Sequence, residues 1–472
     1  MIIITYFIFF IIFCLSSENL IILKKKVSEI NRKLFEKYGY EKINIENNQF
    51  YIDLFIGKNN QEISFILDTT SQITTTICDK ISNEKILSEY KNNYKLENKS
   101  QIIKCKDEKC SFVYSDFLYC ENEEKNCSFT LSNNKNSSIE GIYINENISF
   151  NKKEKGLIQL GCIIKENNFL KENKGKGILG LGSTSFNFIS NYIKNQKLKN
   201  DYEIFSICFD KNKGGYFSIG RINETFHNKL ENISYIPYNI FGSNYNIKIN
   251  YFDFGDSKKF NFEKEYNSFL DSSISYSIFP KKVFQYINES IYKLNFINKD
   301  IKIIKIDNLL CFESIKSKEL KDIIYKELPP MRIIFEKNEV FIWKSENYLS
   351  YINGKFCIGI LENNENNFIL GNNFMYDYDF IFNIKEKKIG FIKSYCSMNK
   401  QLLIDECCKN VIFSYHIIFI VIIMILIILN LIFYLIIRKL RRKESFLCIK
   451  YIGNDLPIGN LTNEIVTSYN QI

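Results

Sequence analysis

Histidine is almost missing from this 472-residue chain, which holds only His227 and His416. None of its 14 cysteines stands in a C-x-x-C pair, so the Cys/His spacing of a structural zinc site is lacking and no metal is expected. Dense lysine and arginine clusters are also few outside the C-terminal end. The net charge of +9 is spread along the chain. Nucleic-acid binding needs a basic face, so nucleic acid is not an expected partner. Helical periodicity is scarce too, confined to pieces such as Phe186–Lys194 and Lys281–Tyr292.

Long charge-free apolar runs occur only at the two ends. Ile2 to Leu15 is almost wholly apolar and is followed by Ser16-Ser17-Glu18. That length suits a signal-peptide core and is too short to span a bilayer, so residues 1–17 are read as a signal peptide. No basic residue precedes the run, which keeps a retained anchor as the alternative. Ile417 to Ile437 is 21 residues without a charge, enough at the helical rise to cross a hydrocarbon core of about 30 Å. Arg438, Lys439, Arg441, Arg442 and Lys443 follow at once. Basic flanks stay cytoplasmic, which predicts a type I protein with a cytosolic tail at 438–472 and a juxtamembrane stretch at 397–416. Setting aside Cys14 and Cys448, twelve cysteines then face an oxidising lumen, where disulfides are expected and their connectivity is open. N-x-Ser/Thr sequons, Asn98 and Asn223 among them, are possible glycosylation points.

What the chain does have is apolar mass, 46% of residues, of which a good part is aromatic. That is ample for a packed core and argues against disorder. Residues 18–45 are charged and polar, and read as a short pro-like or linking segment. From Gln49 onward, short runs rich in Ile, Phe and Tyr are broken by Asn, Lys and Gly to about residue 395, predicting a mainly β body. One internal similarity organises it. Phe65-Ile-Leu-Asp-Thr-Thr-Ser71 is echoed by Phe269-Leu-Asp-Ser-Ser-Ile-Ser275. Each is followed downstream by an apolar pair running into glycine, in Gly177-Ile-Leu-Gly-Leu-Gly182 and Phe368-Ile-Leu-Gly371. The same signals in the same order predict two lobes related by a pseudo-twofold, at 46–235 and 236–396.

These motifs resemble the pepsin-like aspartic proteases, and within them the plasmepsin V group of malaria-type parasites. The resemblance runs from Tyr51-Ile-Asp-Leu-Phe-Ile-Gly57 through a cysteine-rich stretch, Cys105 to Gly141, to Ile389-Gly-Phe391, Cys396 and the C-terminal anchor. It implies a bilobal fold with Asp68 and Asp271 as the catalytic pair and protein or peptide substrates. It places the chain in the endoplasmic reticulum or another secretory-pathway membrane, and it calls for no cofactor. Two carboxylates about 3 Å apart cannot both ionise comfortably, so one serves as acid and the other as base. By the same resemblance Thr69 and Ser272 lock the two loops together, and Ser71 and Ser275 support the carboxylates. Cys208–Cys396 and Cys311–Cys357 are the implied bridges.

The sequence departs from the family at two points. Glycine is the family's third triplet residue, and this chain has Thr70 and Ser273, whose Cβ atoms crowd the approach of the loops. The family's flap tyrosine falls at Asn133, with Phe129 or Tyr143 as alternative covers. A catalytically impaired, peptide-binding descendant is therefore the competing expectation.

Overall fold

The computed structural model describes most of residues 40–396 and the segment 423–441; the longer internal stretches outside it are 80–92, 97–100, 111–117, 121–124, 133–137, 168–175, 184–187, 196–202, 256–259 and 315–319. The expected signal peptide at 1–17, and the part of the expected cytosolic tail beyond 441, lie outside the described residues. The body up to Asn399 and the segment from Lys400 are separate compact units.

The body is built of short strands. Gln49–Ile56 shows how they arise: Phe50, Ile52, Leu54 and Ile56 are buried while the residues between them are half exposed, the period-two pattern of a strand with one packed face. Its outward Asp53 accepts hydrogen bonds from Ser64 Oγ on the neighbouring strand and from Asn44 Nδ2. The helix Lys281–Tyr292 follows Pro280 and buries Val283, Phe284, Ile287 and Ile291. Those spacings are one face of a 3.6-residue period. The other expected helix is present as Phe188–Asn195. The helix Leu320–Glu327, which buries only Ile324, was not anticipated.

Each lobe contains the same four-strand arrangement. In the first, Gln61–Asp68 runs parallel to Gly177–Gly180, and Thr74–Asp79 runs parallel to Lys155–Asn167. In the second, Asn267–Leu270 runs parallel to Asn367–Leu370, and Ser277–Pro280 runs parallel to Ile360–Asn363. Antiparallel bridges Ile178↔Thr75 and Ile369↔Ile278 complete the match. The duplicated sequence signals therefore correspond to duplicated topology.

A shared sheet joins the lobes. Its strands run antiparallel in the order Tyr40–Glu46, Gly214–Ile219, Ile204–Asp210, Tyr378–Asn383, Lys388–Lys393, Ser234–Phe241. The first strand takes in the end of the stretch 18–45 expected to be a linking segment, whose residues 18–39 lie outside the described residues. The expected lobe boundary at 235/236 falls inside the strand Ser234–Phe241. Phe205 and Phe382 stack across the middle of the sheet with ring centroids 4.5 Å apart.

All ten described cysteines lie in disulfides. Cys208–Cys396 and Cys311–Cys357 form as the resemblance implied, and Cys78–Cys162, Cys105–Cys120 and Cys110–Cys127 join them. The cysteine-rich stretch is thereby clipped to the hairpin of Ser128–Ser132 and Ser138–Ser149. Three of these sulfurs, of Cys105, Cys110 and Cys120, lie within 4.8 Å of one another; each is already disulfide-bonded, so no thiolate remains there for a metal.

Beyond the body, Ile423–Arg441 is one helix, long and apolar enough to cross a membrane. It covers the later part of the expected span and runs on into the basic flank; 417–422 lie outside the described residues. Asn430, the polar residue within it, donates from Nδ2 to Leu426 O at 3.0 Å, so its amide finds a backbone partner one turn back.

Candidate active site

Asp68 is the last residue of its strand and Asp271 directly follows Asn267–Leu270. The parallel neighbours hold both ends. Leu181 N–H donates to Asp68 O at 2.8 Å, and Asp271 N–H donates to Leu370 O at 2.9 Å. Gly180 and Gly371 stand at equivalent places beside the two aspartates. A Cβ on Gly180 would lie 2.5 Å from the Ile73 carbonyl, and one on Gly371 2.7 Å from the Tyr276 carbonyl. The repeated Ile-Leu-Gly is therefore a packing requirement: backbone passes where a side chain would stand.

The loops after the two aspartates grip each other. Thr69 Oγ1 donates to Leu270 O at 2.8 Å and accepts from Ser272 N–H at 3.1 Å. Ser272 Oγ donates to Leu67 O at 2.8 Å and accepts from Thr69 N–H at 3.0 Å. Both residues are fully buried. Four reciprocal bonds across the lobes, with every donor and acceptor matched, fix the distance between the loops.

The carboxylates are held alike. Asp68 Oδ1 accepts from Thr70 N–H at 2.8 Å, Thr70 Oγ1 at 2.6 Å and Ser71 N–H at 3.0 Å. Asp271 Oδ1 accepts from Ser273 N–H at 2.9 Å and Ser273 Oγ at 2.6 Å, and the Ile274 N–H also bonds this carboxylate. The crowding expected of Thr70 and Ser273 does not displace the N–H groups, because their side chains turn back onto the carboxylates. Ser71 acts through its N–H while its hydroxyl donates to Ile73 O at 3.1 Å. Ser275 does not reach the site, since its hydroxyl donates to Asn48 O. The twofold operates on the third residue after each aspartate, Ser71 and Ile274, and Ser275 stands one further on.

Both aspartates are 9% exposed. Burial pushes the Asp68 carboxyl above the usual carboxylate range, against the pull of its hydrogen bonds from Thr70 and Ser71. Asp271 is pushed up to about 7, first by burial and then by the charge of Asp68, with Ser273 and Ile274 opposing. The protons belong to the pair.

A second pair of hydroxyls went unread in the sequence. Thr74 and Ser277 each stand six residues after their aspartate. Gly180 N–H donates to Thr74 Oγ1 at 3.2 Å, and Gly371 N–H donates to Ser277 Oγ at 3.0 Å. Ser277 Oγ in turn donates to Asn373 Oδ1. The equal spacing was the available signal. Of the flap, Asn133 lies outside the described residues. Phe129 and Tyr143 are buried against each other, ring centroids 5.2 Å apart, in a small core with Ile73, Ile77 and Ile103. They fill the base of the hairpin, so neither is a cover for the cleft.

Two lobes related by a twofold, each presenting one buried aspartate at the seam, define a bilobal aspartic-protease fold. The chain belongs to the pepsin-like aspartic protease family. Residues 50–221 match the family profile described as xylanase inhibitor N-terminal, and residues 245–393 match its C-terminal counterpart. The chain is similar to plasmepsin V of Plasmodium falciparum, 24% identical over 439 residues covering 74% of this chain and 71% of that protein. It is also similar to aspartic proteinase-like protein 1 of Arabidopsis thaliana, 22% identical over 399 residues covering 80% of this chain and 70% of that one.

Proposed function

We propose that the protein is a membrane-anchored aspartic endopeptidase of the secretory pathway, with Asp68 and Asp271 as its catalytic pair. The observation that carries this is the reciprocal Thr69–Ser272 grip holding two buried carboxyls at the seam. Their raised proton affinity, with Asp271 at about 7, keeps one carboxyl protonated beside an ionised partner in mildly acidic solution. In the reaction the ionised carboxylate takes a proton from water as the water oxygen attacks the peptide carbonyl carbon. The protonated carboxyl gives its proton to the carbonyl oxygen. Collapse of the tetrahedral intermediate then breaks the C–N bond: the leaving nitrogen takes a proton from the now protonated carboxyl, and a hydroxyl of the intermediate returns its proton to the other carboxylate, restoring the pair. The five disulfides favour an oxidising lumen, and the apolar helix at 423–441 supports the anchor. Lumenal and secreted proteins are the substrates this reading implies.

One observation favours a second reading, a protein that binds peptides in the same cleft without cleaving them. Hydroxyl residues occupy both third triplet places, at Thr70 and Ser273. The full-length protein, with disulfides intact, is to be incubated with a diverse peptide pool from about pH 4 to pH 7 beside Asp68→Ala. Cleavage that disappears in the variant is the expected result. Retention of peptides with no cleavage in either protein would support the binding reading.

A further inference from the structure

We propose that Thr70 and Ser273 are positioning residues that set the pH range in which Asp68 and Asp271 share one proton. The inference rests on the endopeptidase reading for its meaning, though not for its test.

The geometry is the same in both lobes. Each carboxylate receives two backbone N–H donors from its own loop and, in addition, a hydroxyl on Oδ1 at 2.6 Å. Backbone N–H groups cannot reverse, so an Oδ1 surrounded in this way is held as an acceptor. The shared proton is thereby confined to the Oδ2 atoms. A hydroxyl aimed at a carboxylate favours its ionised form. With no hydroxyl in the third place, each aspartate would hold its proton more tightly. Thr70 and Ser273 therefore shift the working range of the pair toward acid. The charged group that faces Asp271 from the opposite lobe is Asp68, and no cation among the described residues acts on either carboxyl.

The test uses the full-length protein and the variants Thr70→Val and Ser273→Ala, which remove one hydroxyl each and nearly keep the shape. Thr70→Ser restores the hydroxyl without the methyl. The first readout is the pH profile of kcat/KM on a cleaved peptide. Its alkaline limb is expected to move up by about one pH unit in Ser273→Ala, while its acid limb is expected to move up in Thr70→Val and to return to the wild-type position in Thr70→Ser. The second readout is the thermal midpoint against pH, which requires no activity. A carboxyl with raised proton affinity in the folded state loses stability as pH rises, and the deletion variants are expected to carry that loss to higher pH. Shifted melts with a catalytically silent wild type would keep this proposal and end the endopeptidase reading. Limbs and melts that run parallel to the wild type would overturn the proposal, as would a Thr70→Ser profile that follows Thr70→Val.

Discussion

At the scale of single residues, Asp271 has the clearest thermodynamic signature. Its folded-state proton affinity, near 7, lies above the ordinary carboxylate value of about 3.9. The folded protein thus binds a proton that the unfolded chain has already released, so this group's contribution is complete below about pH 4 and is lost as pH rises through about 7. Asp271→Asn removes the titration. The variant and the wild type are expected to melt alike near pH 4 and to separate toward pH 8, with the variant more stable by an amount on the order of a few kcal/mol. Calorimetry across that range checks both the sign and the window. Residue identity was also where the sequence spoke most directly. The positions of Asp68, Asp271, Thr69 and Ser272 were legible because each sits in a short duplicated string, while the bonding of Thr69 and Ser272 across the loops was implied by the resemblance. The support expected of the Ser275 hydroxyl comes instead from the Ser273 hydroxyl and from the N–H groups of Ser273 and Ile274, and backbone donors leave no trace in side-chain type.

At the scale of elements, the two Ile-Leu-Gly strands brace the aspartates from behind. Gly371 is the sharper case, since a methyl there would meet the Tyr276 carbonyl at 2.7 Å and the Ile274 carbonyl at 3.0 Å. Both are backbone atoms of the loop that follows Asp271, so the strain has no flexible side chain to absorb it. Gly371→Ala is expected to cost about 1–3 kcal/mol in denaturant unfolding and to lower peptide cleavage further than that loss of folded protein explains. Such strands could be read from the sequence, because apolar runs ending in glycine are local. The hydroxyls of Thr74 and Ser277 were harder to see: their partners, Gly180 and Gly371, are about a hundred residues away in sequence. The strand Tyr40–Glu46 was hidden for a related reason. Its alternation is weak, and it forms by pairing with Gly214–Ile219.

At the scale of the whole molecule, Cys208–Cys396 fastens the shared sheet with a sequence separation of 188 residues. Closing so long a loop removes much unfolded-state freedom in the chain-entropy picture. Replacing both cysteines by alanine is expected to lower stability by about 2–5 kcal/mol, measured as a shift of the urea midpoint with the other disulfides intact. The bilobal plan and this bridge came from resemblance and duplication. The three first-lobe pairings did not, because spacing alone leaves the connectivity of six cysteines open.

The shared sheet also constrains how the protein can be made. Its edge strand, Tyr40–Glu46, pairs with residues near 215, and its central pairing, Ile204–Asp210 with Tyr378–Asn383, waits for residues near 380. Synthesis proceeds from one end at about 5–20 residues per second, so Ile204–Asp210 leaves the ribosome well before its partner exists. For several seconds the nascent chain presents an unpaired apolar strand edge, the kind of surface on which chains misassociate. A protein of this design therefore depends on whatever holds that edge apart until the second lobe arrives.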